Sequence, residues 1–125
     1  MLLKADVANH RMNVEEYWDI PGGRIEHGDN ELQTLAKELQ EETGLELPDG
    51  CSLIDTVFSN HEIPLYEGGI AGLVLRIWRV PFVGDATIRL SSEHTEYQWF
   101  APKDAAIHLA HKYPQAFCEQ IVKLD

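Results

Sequence analysis

What the chain lacks narrows its role before any motif is considered. Basic residues are scarce: 10 Lys and Arg stand against 21 Asp and Glu, for a net charge of −11. Affinity for DNA or RNA comes mostly from cationic side chains that neutralise phosphates, so this balance argues against a nucleic acid polymer as partner. Small phosphorylated molecules stay open, provided metal ions bridge acid to acid. Cysteine is nearly absent. Cys51 and Cys118 lie far apart with no signal peptide ahead of them, the pattern of free thiols in a reducing, cytoplasmic setting. Long apolar runs are missing too: the most apolar stretch, residues 68–83, is interrupted by Arg76 and Arg79, which argues against a transmembrane helix and a membrane partner. Repeats, low-complexity segments and linkers are absent, so residues 1–125 read as one domain with a single core.

The informative stretch is residues 23–45, GRIEHGDNELQTLAKELQEETGL. Gly22, Gly23 and Gly28 keep the first loop free of Cβ atoms, so backbone there can lie close to a ligand. Asn30 is an N-cap candidate that forms a capping box with Gln33, and Gly44 suits the left-handed position just past a helix end. The spacing predicts a helix over residues 31–43. Leu32, Leu35, Ala36 and Leu39 give it an apolar stripe for docking on a core. Glu38, Glu41 and Glu42 stand at i, i+3 and i+4, so their carboxylates meet on one flank and repel. Such a cluster reads either as a solvated acidic face or as a seat for a hard divalent cation such as Mg²⁺, which takes carboxylate oxygens and keeps waters or substrate phosphates in its other positions.

The same stretch resembles the Nudix box of the Nudix hydrolase family, G-x5-E-x7-R-E-U-x-E-E-x-G-U with U aliphatic. Gly23, Glu38, Leu39, Glu41, Glu42, Gly44 and Leu45 match as written, and Pro21-Gly22 ahead of them is also what the family usually shows. Chance produces seven such matches at about 10⁻⁷ per start position. Two positions depart: Asp29 replaces Glu and Lys37 replaces Arg. Both keep charge but lose reach, and Lys lacks the planar fork of Arg. The resemblance implies a Nudix-type α/β/α sandwich with a mixed β-sheet. It also implies a strand ahead of the one that Leu2 and Leu3 match. That usual first strand is missing from the sequence: the chain starts late, is naturally shortened, or fills the gap with another segment. An unpaired sheet edge is the expected consequence.

Along the chain, residues 1–7 predict a strand, 8–16 a turn, 52–59 a strand and 61–69 a loop able to close over a ligand. Residues 70–80, apolar on both alternations, predict a central strand covered on both faces. Val83-Gly84-Asp85 predicts a turn, and Glu93 and Glu96 precede a short aromatic strand ending near Phe100. Helices are expected from Ala101-Pro102 to about His111 and over residues 114–123, the last with Ala116, Phe117, Ile121 and Leu124 inward.

The resemblance implies MutT-like hydrolysis of a diphosphate linkage in a small phosphorylated nucleotide, a nucleoside triphosphate or a nucleoside diphosphate joined to a further group. Water activated by Mg²⁺, or Mn²⁺, is the implied nucleophile. Glu38, Glu41 and Glu42 are the expected metal ligands, with the Gly22 carbonyl and Glu93 beside them. Glu93, then Glu96, then Glu38 are the candidates for general base. Arg24 is either a phosphate contact or a solvated loop residue. Tyr66, Trp78 and Trp99 are candidates for stacking on a base, though strand aromatics are more often core. His108 and His111, at i and i+3, lack a third ligand nearby and read as surface residues. Two other functions stay open: an ADP-ribose or dinucleoside polyphosphate pyrophosphatase, and a non-catalytic nucleotide-binding Nudix domain. A homodimer is compatible with the sequence.

Overall fold

The computed structural model describes residues 1–6, 16–82, 84 and 87–124. The turn expected over residues 8–16 lies almost wholly outside these, and so do Val83 and Asp85 of the turn expected after the fourth strand. The described elements run β1 (Leu2–Ala5), β2 (Trp18–Asp19), α1 (Glu31–Thr43), β3 (Ser52–Pro64), β4 (Ile70–Arg79), β5 (His94–Gln98), α2 (Pro102–Leu109) and α3 (Gln115–Val122). This is an α/β composition, as the resemblance implies, with three helices and antiparallel pairing throughout the described strands. The elements fall into two compact units, Met1–Gly50 with Val80–Trp99 and Cys51–Arg79 with Phe100–Asp125.

The first unit holds a three-stranded sheet in the order β2-β1-β5. Leu3 pairs with Asp19 on one side and Tyr97 on the other, so β1 is the central strand. The open edge expected beside Leu2 and Leu3 is therefore not found at β1; β2 and β5 cover both of its sides. Burial follows from that position. Leu2, Leu3 and Ala5 are buried, with Leu3 fully so, and apolar side chains are stabilised most where both neighbours exclude water.

Helix α1 occupies residues 31–43, as its capping residues predict. Asn30 accepts a hydrogen bond from the Gln33 N–H at 2.8 Å, and the Gln33 side chain accepts one from the Asn30 N–H at 2.9 Å. At the other end Gly44 sits at φ 73° and donates its N–H to the Gln40 carbonyl. The expected stripe is inward in part: Leu39 is buried, Leu35 and Ala36 are half-buried and Leu32 is exposed, while Thr34, Glu42 and Thr43 are buried beside it. The inward face is rotated toward Glu42, and a carboxylate thus enters the interior.

In the second unit β3 and β4 form an antiparallel hairpin. The strand continues through Pro64, so the expected loop over residues 61–69 shrinks to a turn at 65–69, where Gly68 and Gly69 adopt φ near +90°. The register shifts between Phe58 and Glu62, and Asn60 in that bulge donates its N–H to the Lys112 carbonyl at 2.8 Å. Nor is β4 a central strand covered on both faces: among the described residues it pairs with β3 alone, and Ile70 and Val74 are exposed. Helices α2 and α3 pack on one another through Leu109, Tyr113, Phe117 and Ile121, all buried. Phe117 and Ile121 are inward as expected, Ala116 is exposed and Leu124 is half-buried. Cys51 and Cys118 are half-buried, and neither is part of a disulfide among the described residues.

Candidate metal and catalytic site

The site grows from the C-terminal half of α1. At its C-terminal end Glu42 is buried and accepts a hydrogen bond from the Gly22 N–H at 2.9 Å. The glycine loop and the helix are tied together by that bond. Burial pushes the Glu42 carboxyl up to about 7; the Gly22 N–H opposes the rise, while the charges of Glu38, Glu93 and Asp19 add to it. One turn earlier, Glu38 lies against Gly23. A Cβ at position 23 would stand 2.2 Å from Glu38 Oε1, well inside contact distance, so this approach requires glycine. Burial, then the charges of Glu41, Glu93 and Glu26, raise the Glu38 carboxyl as well. Glu41 is exposed on the same helix.

The departures at the edge of the motif still pair. Lys37 Nζ donates directly to Asp29 Oδ2, a bond that raises the Lys37 pKa and ties the glycine loop to the middle of α1. The shorter acid and the flexible base thus make the contact that a longer pair would make, without its two-pronged geometry.

Glu93 and His94 reach the site from the start of β5. The Asp6 N–H donates to the Glu93 carbonyl at 2.8 Å, which anchors this segment to the end of β1. Ligand atoms of Glu42, Glu93 and His94 all lie within 4.8 Å of one another. Burial lowers the His94 pKa, against the charges of Glu93 and Asp19.

The other expected residues are placed as follows. Glu96 lies inside β5 rather than ahead of it, and its carboxylate is 3.2 Å from Lys4 Nζ, which also holds Glu16 at 2.9 Å. Arg24 is exposed. Tyr66 stands fully exposed at the tip of the β3-β4 hairpin, and Trp99 is half exposed with Phe82 edge-on to it. Two features escaped the sequence reading. His94 is one; its signal was its place directly after Glu93, a donor of a second chemical type beside an acid. The other is a cleft of about 410 Å³ lined by Trp18, Leu90, Thr95, Glu96, Tyr97 and Gln98. It sits one residue from His94 and from Asp19 along the chain, and nothing in the sequence set Trp18 apart from core aromatics.

Helix-borne carboxylates against a glycine loop, with Glu93 and His94 brought in from the start of β5, make a group of donors that could hold a metal ion. The family is the Nudix family: the chain is a member, and the NUDIX domain model matches residues 5–120. An 8-oxo-dGTP diphosphatase of Proteus vulgaris is 42% identical over 48 residues, covering 38% of this chain and 40% of that protein. A bis(5'-nucleosyl)-tetraphosphatase (asymmetrical) of Rattus norvegicus is 32% identical over 90 residues, 71% of this chain and 58% of the relative. An octanoyltransferase of Myxococcus xanthus is 36% identical over 84 residues, 66% of this chain but 22% of that protein. The chain therefore spans about a fifth to three fifths of these relatives.

Proposed function

We propose that residues 1–125 act as one Nudix domain that hydrolyses a diphosphate linkage in a small nucleotide, with a divalent cation, Mg²⁺ or Mn²⁺, held by Glu38, Glu41, Glu42 and Glu93 and by the Gly22 carbonyl. The observation that carries this reading is Glu42. An ionised carboxylate with one N–H partner, buried with the charges of three further acids around it, opposes the fold unless a proton or a cation neutralises it, and above about pH 7 that leaves the cation. When bound, the cation supplies Lewis acidity: it offsets charge on diphosphate oxygens and acidifies water. The chain supplies the rest. Glu38 and Glu42 orient the site from a capped, rigid helix, and the glycine loop leaves room for phosphate. Glu93, exposed at the rim, accepts the proton of the attacking water at a carboxylate oxygen. Glu96 ranks below it, because Lys4 holds its carboxylate.

The cleft whose lining follows His94 along β5 supports a nucleoside as the organic part of the substrate. Trp18 and Tyr97 give it aromatic walls, and its volume suits a base and sugar. A second reading, a dinucleoside polyphosphate as substrate, is favoured by the reach of the match to the tetraphosphatases of rat and Sus scrofa, 71% and 74% of this chain. The test is a panel of nucleoside triphosphates, nucleoside diphosphate sugars and dinucleoside polyphosphates, assayed for phosphate and pyrophosphate release with Mg²⁺, Mn²⁺ or EDTA. Turnover that needs metal and falls at least about 100-fold in Glu42→Gln is expected. Tight nucleotide binding with no turnover under either metal would leave a binding domain instead.

A further inference from the structure

Among the described residues, three buried side-chain polar atoms lack a hydrogen-bond partner: Thr34 Oγ1, Trp78 Nε1 and His94 Nδ1. An orphaned buried polar group gives up its bonds to water and gains none in return, so each requires an explanation. The first two are a hydroxyl and an indole N–H. The third differs in kind, because an imidazole nitrogen is a strong metal donor and His94 already stands with Glu42 and Glu93. Three ligand atoms about 2.1 Å from one centre average no more than roughly 3.6 Å apart. The three donors, within 4.8 Å of one another, reach that geometry by closing up by about 1 Å or less.

We propose that His94 is a direct ligand of the divalent cation at this site, so that Glu42, Glu93 and His94 form a mixed nitrogen and oxygen set that prefers Mn²⁺, Co²⁺ or Zn²⁺ over Mg²⁺. The proposal rests on the reading of the acid cluster as a metal site and adds to it a ligand and a selectivity. Its physical basis is ligand type. Mg²⁺ takes hard oxygen donors and keeps its waters, whereas imidazole suits first-row transition ions, whose affinity for nitrogen rises from Mn²⁺ through Co²⁺. An all-carboxylate set has no such preference built into it. His94 also opens the strand that carries it, and its backbone pairs with Ala5 of β1 just past a register shift between Lys4 and Ala5. The imidazole is thus presented from a paired strand rather than from a free loop.

The test uses the whole chain, freed of metal with EDTA and dialysed, and titrated calorimetrically with Mg²⁺, Mn²⁺ and Co²⁺ in the wild type, His94→Gln and Glu42→Gln. Co²⁺ is expected to bind the wild type at least tenfold more tightly than Mg²⁺. His94→Gln is expected to weaken Co²⁺ by about 10- to 100-fold and Mg²⁺ by less than about threefold. Equal losses for both ions, or none, would overturn the proposal. Loss of Co²⁺ binding in Glu42→Gln with no change in His94→Gln would overturn it while leaving the acid site standing. Absence of binding by any ion in the wild type would remove both. A measurement on the unaltered protein guards against a misfolded variant: in a Zn²⁺ titration followed by histidine ring ¹⁵N resonances, His94 should move with one equivalent of metal, and a stationary His94 signal counts against ligation.

Discussion

At the scale of single residues, glycine and glutamate are matched to one another across this site. Gly23 carries no positive φ, so an alanine there meets no backbone strain. What it meets is the Glu38 carboxylate, 2.2 Å from the new methyl. A carboxylate at the end of a flexible side chain can swing away at little cost in folding, but then it leaves the position from which it serves the site. Gly23→Ala is therefore expected to unfold within about 1 kcal/mol of the wild type by urea titration, while its kcat/KM on the best nucleotide falls about 100-fold, the penalty typical of an ångström-scale misplacement. A wild-type rate in that variant would mean that Glu38 does not work from where it now lies. Gly44 shows the opposite logic. It is needed for its own backbone, at φ 73°, with Arg89 Nε 3.2 Å from where a Cβ would sit.

At the scale of elements, α1 shows how far local chemistry specifies structure. Its bounds were legible because both termini carry their own hydrogen-bonding instructions: the reciprocal Asn30 and Gln33 bonds at one end, the left-handed glycine at the other. Asn30→Ala is expected to lower stability by about 1 kcal/mol in chemical denaturation, and Asn30→Ala combined with Gln33→Ala by clearly less than the sum of the two, because each side chain bonds the other residue's backbone. Additive losses would show that the box does not act as a unit. The strands were less legible. Residues 61–64 have loop composition, yet β3 continues through them, held by bonds from Ser59 and Asn60 to Lys112 and Tyr113, 53 positions away in sequence. No local pattern encodes a partner that distant. The leucine stripe of α1 is inward at Leu39 but not at Leu32 for a related reason: periodicity reports which residues share a face, not how far the tertiary structure turns that face inward. The acids Glu38, Glu41 and Glu42 were visible through spacing and through the Nudix resemblance. His94 was not, because a single imidazole acquires meaning only when a strand from another part of the chain carries it to Glu42.

At the scale of the whole molecule, the excess of acid sets how stability responds to pH. The net charge is −11, and its least favourable member is buried Glu42. An unfolded glutamate titrates near 4.5, and Glu42 in the fold near about 7. Because the folded value is raised, the contribution of Glu42 is fully present below about 4.5 and is lost as pH climbs through about 7. At about 1.4 kcal/mol per pH unit, ionising it in place costs on the order of 3 kcal/mol. Glu38, also raised, acts in the same direction. His94 acts in the opposite one: its lowered value favours the neutral ring, so its contribution is present above about 6.5 and fades as pH falls. The carboxylates outweigh it, since general self-repulsion among the remaining acids grows over the same range. Calorimetric scans in EDTA are therefore expected to show a melting temperature several degrees lower at pH 8 than at pH 5. Saturating Mn²⁺ should raise it far more at pH 8, where the cation meets an ionised carboxylate, than at pH 5, where binding must first displace a proton. In Glu42→Gln the decline toward pH 8 should largely vanish and the metal response should shrink with it. If the variant instead kept the wild-type slope, the pH dependence would belong to diffuse surface charge, and Glu42 would not be the residue through which metal and fold are coupled.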